Sequence, residues 1–159
     1  MSRRLDPVVP PALRELLDSD DVAAAEGFTM LLVTVTAEGW PHLAMISVGE
    51  VVASGDDSLR LALWPGSTAT RNVTPSGNAT LAAVVDGTSY SVRLAVARAG
   101  EVETPLAGQL ACFEARVEGA SADEAPYAVL ESGVSFRLKD PPAVLARWAE
   151  LRQALRDGI

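Results

Sequence analysis

Ser67, Thr68, Thr70 and Arg71 are the residues whose types and spacing could do chemistry. They follow a strand-like alternation from Ser58 to Trp64 and a Pro65-Gly66 stop. Ser67 is placed to cap a short helix running from Thr68 to about Val73. A helix that opens just beyond a strand end turns free N–H groups and the positive end of its dipole outward. Three hydroxyls and one guanidinium at that point form a cradle suited to a phosphate group. The plainer alternative is a capped helix after an ordinary Pro-Gly turn, since Ser and Thr cap many helices that bind nothing.

Other chemically able side chains are scattered. His42, the single histidine, stands beside Pro41 at a hairpin mouth. That is a surface or interface position, with acid–base work or haem ligation as the alternative. Cys112 falls on the expected wet face of a strand with only Arg116 as a nearby cation, so it reads as an inert thiol. Asp56-Asp57 reads as a turn, because too few other ligands accompany it for a metal. Glu114, Arg116 and Glu118 read as a solvated or interface strand face. Trp148 repeats with a helix face and reads as core or interface packing. No Ser-His-Asp order, HExxH, Walker A or CxxC pattern occurs. No side chain is singled out as catalytic, so any redox chemistry would belong to a cofactor.

The elements that must position the corner are mostly strands. Pro10-Pro11 opens a short amphipathic helix over Ala12–Leu17, part of a helical leader spanning 1–27. Phe28–Thr36 is an apolar strand, and Ala37-Glu38-Gly39-Trp40 is its hairpin turn. Pro41 to about Ser54 reads as one long strand, bent or bulged at Gly49. After Gly55-Asp56-Asp57 comes Ser58–Trp64, then the proposed phosphate helix and a turn at Ser76-Gly77-Asn78. Ala79–Val85, Tyr90–Ala97 and Ala111–Glu118 are further strands, the last two with period-2 alternation. Ala99–Pro105 reads as a loop, Ala122–Leu130 as a short helix, and Val134, Phe136 and Leu138 as a last strand. Asp140 caps a helix reaching about Arg156. Val144, Trp148, Leu151 and Leu155 fall on one face of it, with Arg147, Glu150, Arg152 and Arg156 mostly off it. Six or seven antiparallel strands with a helix inserted after the third predict a mainly β chain folded as a small split barrel. The expected layout is one domain over 1–159, with the barrel at 28–138 and the C-terminal helix at 140–157.

Composition sets limits on partners. The chain has 159 residues, 48% hydrophobic and 21% charged, which is globular and not disordered. Its net charge of −8 argues against nonspecific nucleic-acid binding and against an anionic membrane surface. A small phosphorylated ligand needs only a local positive site and is not opposed by that charge. A lone cysteine fits a reducing, cytoplasmic setting, and one histidine with one cysteine makes a structural metal improbable. No signal peptide and no membrane-spanning run are expected.

Two blocks resemble the pyridoxamine 5′-phosphate oxidase-like, FMN-binding split-barrel family. One is Leu32–His42, an apolar strand, an acidic-Gly turn and a proline entering the next strand. The other is Leu61–Val73, continuing to Ala79-Thr80-Leu81, which looks like the family's strand, phosphate-binding helix start and following strand. The resemblance spans roughly residues 28–85. It implies a homodimer with FMN at the subunit interface, acting on a small-molecule substrate. Carried over, Ser67 and Thr68 match the phosphate-binding helix start, and Thr70 and Arg71 are additional contacts. Ala44, Met45, Ile46 and Ser47 match the strand beside the flavin ring, giving it mainly backbone contacts. Trp64 matches the strand end near the ribityl chain. The chain also departs from the pattern. Ala44 stands where true pyridoxamine phosphate oxidases carry an arginine, and Thr68 and Ala69 stand where they carry a basic pair. Their C-terminal substrate-binding Arg/His segment has no counterpart, Arg147-Trp148 lying inside a helix. The expectation is therefore an FMN-dependent oxidoreductase of unknown small-molecule substrate, with these departures counting against vitamin B6. The alternative is a non-catalytic holder of flavin, deazaflavin (F420) or haem.

Overall fold

The computed structural model describes residues 1–158. In chain order the elements are β1 (Ser2–Leu5), α1 (Pro11–Asp18), β2 (Met30–Val35), β3 (Pro41–Ile46) and a 3-10 turn (Val48–Glu50). Then come β4 (Val51–Ala53), β5 (Ser58–Leu63), α2 (Thr68–Ser76), β6 (Asn78–Val85), β7 (Thr88–Thr104), β8 (Gly108–Asp123) and α3 (Pro141–Asp157). All pairings between these strands are antiparallel, in the order β3-β2-β6-β7-β8-β5-β4, with β1 added on β8. Eight strands and three α-helices among the described residues make a mainly β chain compatible with a split barrel. No described helix is long and apolar enough to cross a membrane.

Alternation decides which face is dry. On β2, Met30, Leu32 and Thr34 point into the core, and Leu81 on β6 joins them. Leu59, Leu61 and Leu63 on β5 and Phe113 on β8 fill the same core. A second apolar layer lies between the far side of β4, β5 and β8 and helix α3. It holds Val52, Ala62, Cys112, Leu151 and Leu155. Cys112 is therefore fully buried and not on a wet face, because α3 dries the face that alternation alone assigns to water. Burial pushes its thiol up to about 11, which keeps it protonated and unreactive.

The expected long strand 41–54 is broken. Ser47 stops β3 and caps the 3-10 turn, its Oγ accepting from Gly49 N at 3.3 Å. Glu50 Oε2 accepts from Ser47 N at 2.7 Å and from Ser47 Oγ at 3.0 Å, closing a capping box. Gly49 is required here for space: a Cβ would overlap the indole of buried Trp148 at Cδ1 and Cγ. Trp148 also makes an edge contact with Phe136, centroids 6.2 Å apart. Gly49→Ala should cost about 1–3 kcal/mol by overpacking, read as a lower urea midpoint with unchanged m.

Four further expectations differ. The segment 99–105 is mostly strand, because β7 and β8 continue their ladder past a bulge at Arg98/Gly100. The segment 122–130 is not helical. Ala120 and Ala122 continue the buried alternation of β8, paired with β7 on one side and β1 on the other. Val134–Leu138 forms no strand. β2 is already paired on both sides, so the segment gains only a single bridge, Phe28 to Ser135, and Phe136 N donates to Gly27 O at 3.3 Å. The leader holds more than a helix, since β1 precedes α1. A four-residue strand with two arginines, lying on a neighbour with one free edge, has no apolar signature to read.

Candidate functional site

The corner after β5 is built by its own hydroxyls. Ser67 N donates to Trp64 O at 3.0 Å and closes the Trp64-Pro65-Gly66 turn. Ser67 then caps α2, its Oγ accepting from Thr70 N at 3.1 Å. Thr70 is buried, and its hydroxyl donates to Trp64 O at 2.8 Å. It therefore braces the turn, its hydroxyl already engaged within the fold. At the other end Gly77 closes the helix in the left-handed conformation, φ 67°. Buried Asn72 donates from Nδ2 to Thr34 Oγ1 at 2.9 Å, which pins α2 to β2.

Arg71 folds back over the first turn of α2. Its Nη1 donates to Gly66 O at 2.6 Å and its Nη2 to Thr68 Oγ1 at 2.9 Å. The N–H groups of Thr68 and Ala69 precede the first intrahelical bond and have no backbone acceptor among the described residues. A cavity of about 630 Å³ opens between α2 and the β2–β3 hairpin. Thr68, Arg71, Asn72 and Ser76 line one side, and Thr36 and Glu38 the other. A guanidinium, a hydroxyl and a dipole end meet at one mouth, which gives it the character of an anion site. No second cation lines this cavity, and Glu38 sets a negative charge across it.

The remaining expected residues are spread. Met45 is 69% exposed on the outer face of the edge strand β3, while Ile46 points into the core. Ser47 is buried as the cap of the 3-10 turn. Trp64 is half-exposed at the end of β5, and the Arg147 guanidinium of α3 sits 5.4 Å from its ring centroid. Sequence reasoning gave Arg147 no role. No spacing rule links a strand end to a helix face so far along the chain.

Glu50 lies near the same arginine. Burial raises its carboxyl above the usual range, against its hydrogen bonds from Ser47 and the attraction of Arg147. The folded state thus holds this proton more tightly than the unfolded chain. The stability that follows is fully present below the unfolded pKa and is lost as pH rises through the raised folded value. Urea midpoints of Glu50→Gln should therefore vary less with pH from the acid range toward neutrality than those of the parent.

No protein-family model matches the chain. It is 34% identical over 149 residues to YclD, an uncharacterised protein of Bacillus subtilis, covering 91% of this chain and 93% of that one. Among solved structures it is similar to a candidate pyridoxamine 5′-phosphate oxidase from Lactobacillus delbrueckii, with TM-score 0.55 and 14% identity over 74% of this chain and 97% of that one. It is also similar to HupZ of Group A Streptococcus, with TM-score 0.54 and 13% identity over 80% and 98% of the two chains. An F420 reductase gives TM-score 0.51 and 15% identity over 70% and 98%. At such identities the structures establish the fold, while the long match to YclD establishes kinship. The chain belongs to the family of YclD, and its fold is that of the pyridoxamine 5′-phosphate oxidase-like split barrels.

Proposed function

We propose that this chain binds FMN and works as a flavin-dependent oxidoreductase on a small molecule. The observation that carries the reading is Arg71, held across the open end of α2 beside Thr68 and a cavity of about 630 Å³. Thr68, Arg71 and the free N–H groups of the first helical turn would hold the phosphate. Backbone groups of Met45, Ile46 and Ser47 would lie along the ring. Once bound, the flavin supplies the hydride or electron transfer, and the protein supplies position and charge. Val35, Trp40, Leu43 and Met45 are exposed apolar side chains on the β2–β3 hairpin. A second copy of the chain would cover them, making a cytoplasmic homodimer with the cofactor at its interface.

The single guanidinium at the cavity, opposed by Glu38, supports a second reading: a non-catalytic holder of flavin, deazaflavin or haem on the same fold. The likeness to an F420 reductase keeps deazaflavin in view.

Titration of the purified protein with FMN, followed by flavin fluorescence quenching, tests the first reading. Saturable FMN binding with riboflavin much weaker is expected, and bleaching of the complex by a nicotinamide donor would mark the enzyme. No FMN binding, or equal binding of riboflavin, would remove the phosphate corner from the account.

A further inference from the structure

The outer face of the sheet where β1, β7 and β8 run side by side holds two arginines without partners. The register places Arg4 opposite Ser121, and Ser121 opposite Ser91. One row along, Arg93 stands between Thr80 on β6 and Gly119 on β8. These side chains and Ser2 line a groove of about 420 Å³ with no carboxylate in its wall. That is unexpected on a chain of net charge −8. Other arginines, Arg14, Arg60, Arg116 and Arg156 among them, are held by carboxylates. Arg4 and Arg93 make no side-chain hydrogen bond or ion pair among the described residues. Glu118 lines the adjoining cavity with Arg93 but accepts from Arg116 Nη2 at 2.6 Å, and Asp123 stands opposite Ser2 in the register without lining the groove.

The Arg93 guanidinium has a seat. A Cβ at Gly119 would lie 2.6 Å from Arg93 Nη2 and 3.2 Å from its Nε. Gly119 does not have a positive φ, so its backbone does not demand glycine. The guanidinium lies across the face that Gly119 leaves open. The bulge between Arg93 and Leu94 leaves Glu118 unopposed on β8, beside the groove.

We propose that this groove binds the phosphate or diphosphate group of a small metabolite, with Arg93 and Arg4 gripping it from two sides and Ser91, Ser121 and Thr80 donating hydroxyls. Guanidinium forks match phosphate oxygens two at a time, and a carboxylate-free wall leaves that attraction unopposed. The groove shares no lining residue with the cavity beside α2, although a third cavity joins them, lined by Thr80 and Arg93 at one end and Val35 at the other.

Calorimetric titration of the whole protein with inorganic pyrophosphate at low ionic strength tests the proposal. One saturable site per chain is expected, weakened by added salt. Arg93→Ala and Arg4→Ala should each weaken it at least about ten-fold. Neither side chain holds the fold together, so the melting temperature of both variants should stay unchanged. Arg71→Ala should leave pyrophosphate binding as it was. Absence of a saturable heat, parental affinity in both groove variants, or loss of binding in Arg71→Ala would each overturn the assignment.

Discussion

Arg152→Met should lower the stability of this protein by about 3–5 kcal/mol, and by more than any surface substitution. Arg152 is 1% exposed, the largest fully buried side chain among the described residues. Its Nη1 donates to Val48 O at 2.6 Å and to Val51 O at 3.1 Å. Its Nη2 donates to Leu17 O at 2.8 Å and to Ser19 O at 2.7 Å. Burial pushes the guanidinium down to about 10, so it is still a cation at neutral pH. The acceptors explain why a charge belongs there. Leu17 and Ser19 lie at the end of α1, where the last carbonyls have no intrahelical donor and the dipole is negative. Val48 and Val51 flank the broken strand, where ladder bonding lapses. One planar fork therefore closes two gaps at once and ties α3 to both. Methionine has similar length and no donors, so the carbonyls of Leu17, Val48 and Val51 would lose this donor at about 1–3 kcal/mol each before relaxation, while Ser19 O keeps Arg156 Nη2 at 3.2 Å. Arg156 backs this clamp, with Nη2 donating to Asp18 O at 3.0 Å and Nη1 paired with Asp20. It is more exposed, and its loss should cost far less. Urea unfolding of Arg152→Met, Arg152→Lys and Arg156→Met should rank them in that order of damage. An Arg152→Met protein as stable as the parent would show that the carbonyls find water or each other.

The sequence places Arg152 off the apolar face of α3, and that error shows where reading from sequence stops. Val144, Trp148, Leu151 and Leu155 mark the face correctly, and Trp148, Leu151 and Leu155 are buried. Arg152 lies beside that stripe, one position past Leu151 and one turn beyond Trp148. Whether such a flank is wet depends on what is packed over it, and here that is the end of α1 from the opposite end of the chain. The same limit explains Cys112. Its neighbours alternate, but α3 covers the second face of β8. Local chemistry was more legible. Ser67 as helix cap, the Pro65-Gly66 stop, the hairpin at Gly39 and Asp140 as the cap of α3 all depend on neighbours within a few residues. Each forms where the sequence puts it. Thr70 was legible by position and not by direction. A hydroxyl at the third helical residue can face a ligand or the turn before it, and only the closing of Trp64-Pro65-Gly66 turns it inward. Arg147 over Trp64 and the groove of Arg4 and Arg93 had no signal, because strand register and helix docking assemble them.

Ser67→Ala combined with Arg71→Ala should weaken FMN binding by about 2–4 kcal/mol, roughly thirty-fold to several hundred-fold. The two residues contribute differently, and the structure separates them. Arg71 is exposed and holds only Gly66 O and Thr68 Oγ1, so its removal should hardly change the melting temperature. What it removes is the cation at the mouth of the cavity, and a phosphate would feel that loss where riboflavin would not. Ser67 works through Thr70 N and the turn behind it, so its removal should cost about 1 kcal/mol of stability as a lost cap. Its effect on binding comes from an end of α2 that frays and no longer holds its N–H groups in one direction. Arg71→Ala alone should therefore show reduced FMN affinity at full stability, and Ser67→Ala reduced affinity with reduced stability. Ser67→Asn should restore both, because asparagine caps as well as serine. Thr70→Val provides a further separation, since its hydroxyl is spent on Trp64 O and only the turn should suffer. If FMN and riboflavin weaken together in the double variant, the effect lies along the ring and not at the phosphate. If neither changes, the corner that opens α2 holds no cofactor, and its hydroxyls serve the fold alone.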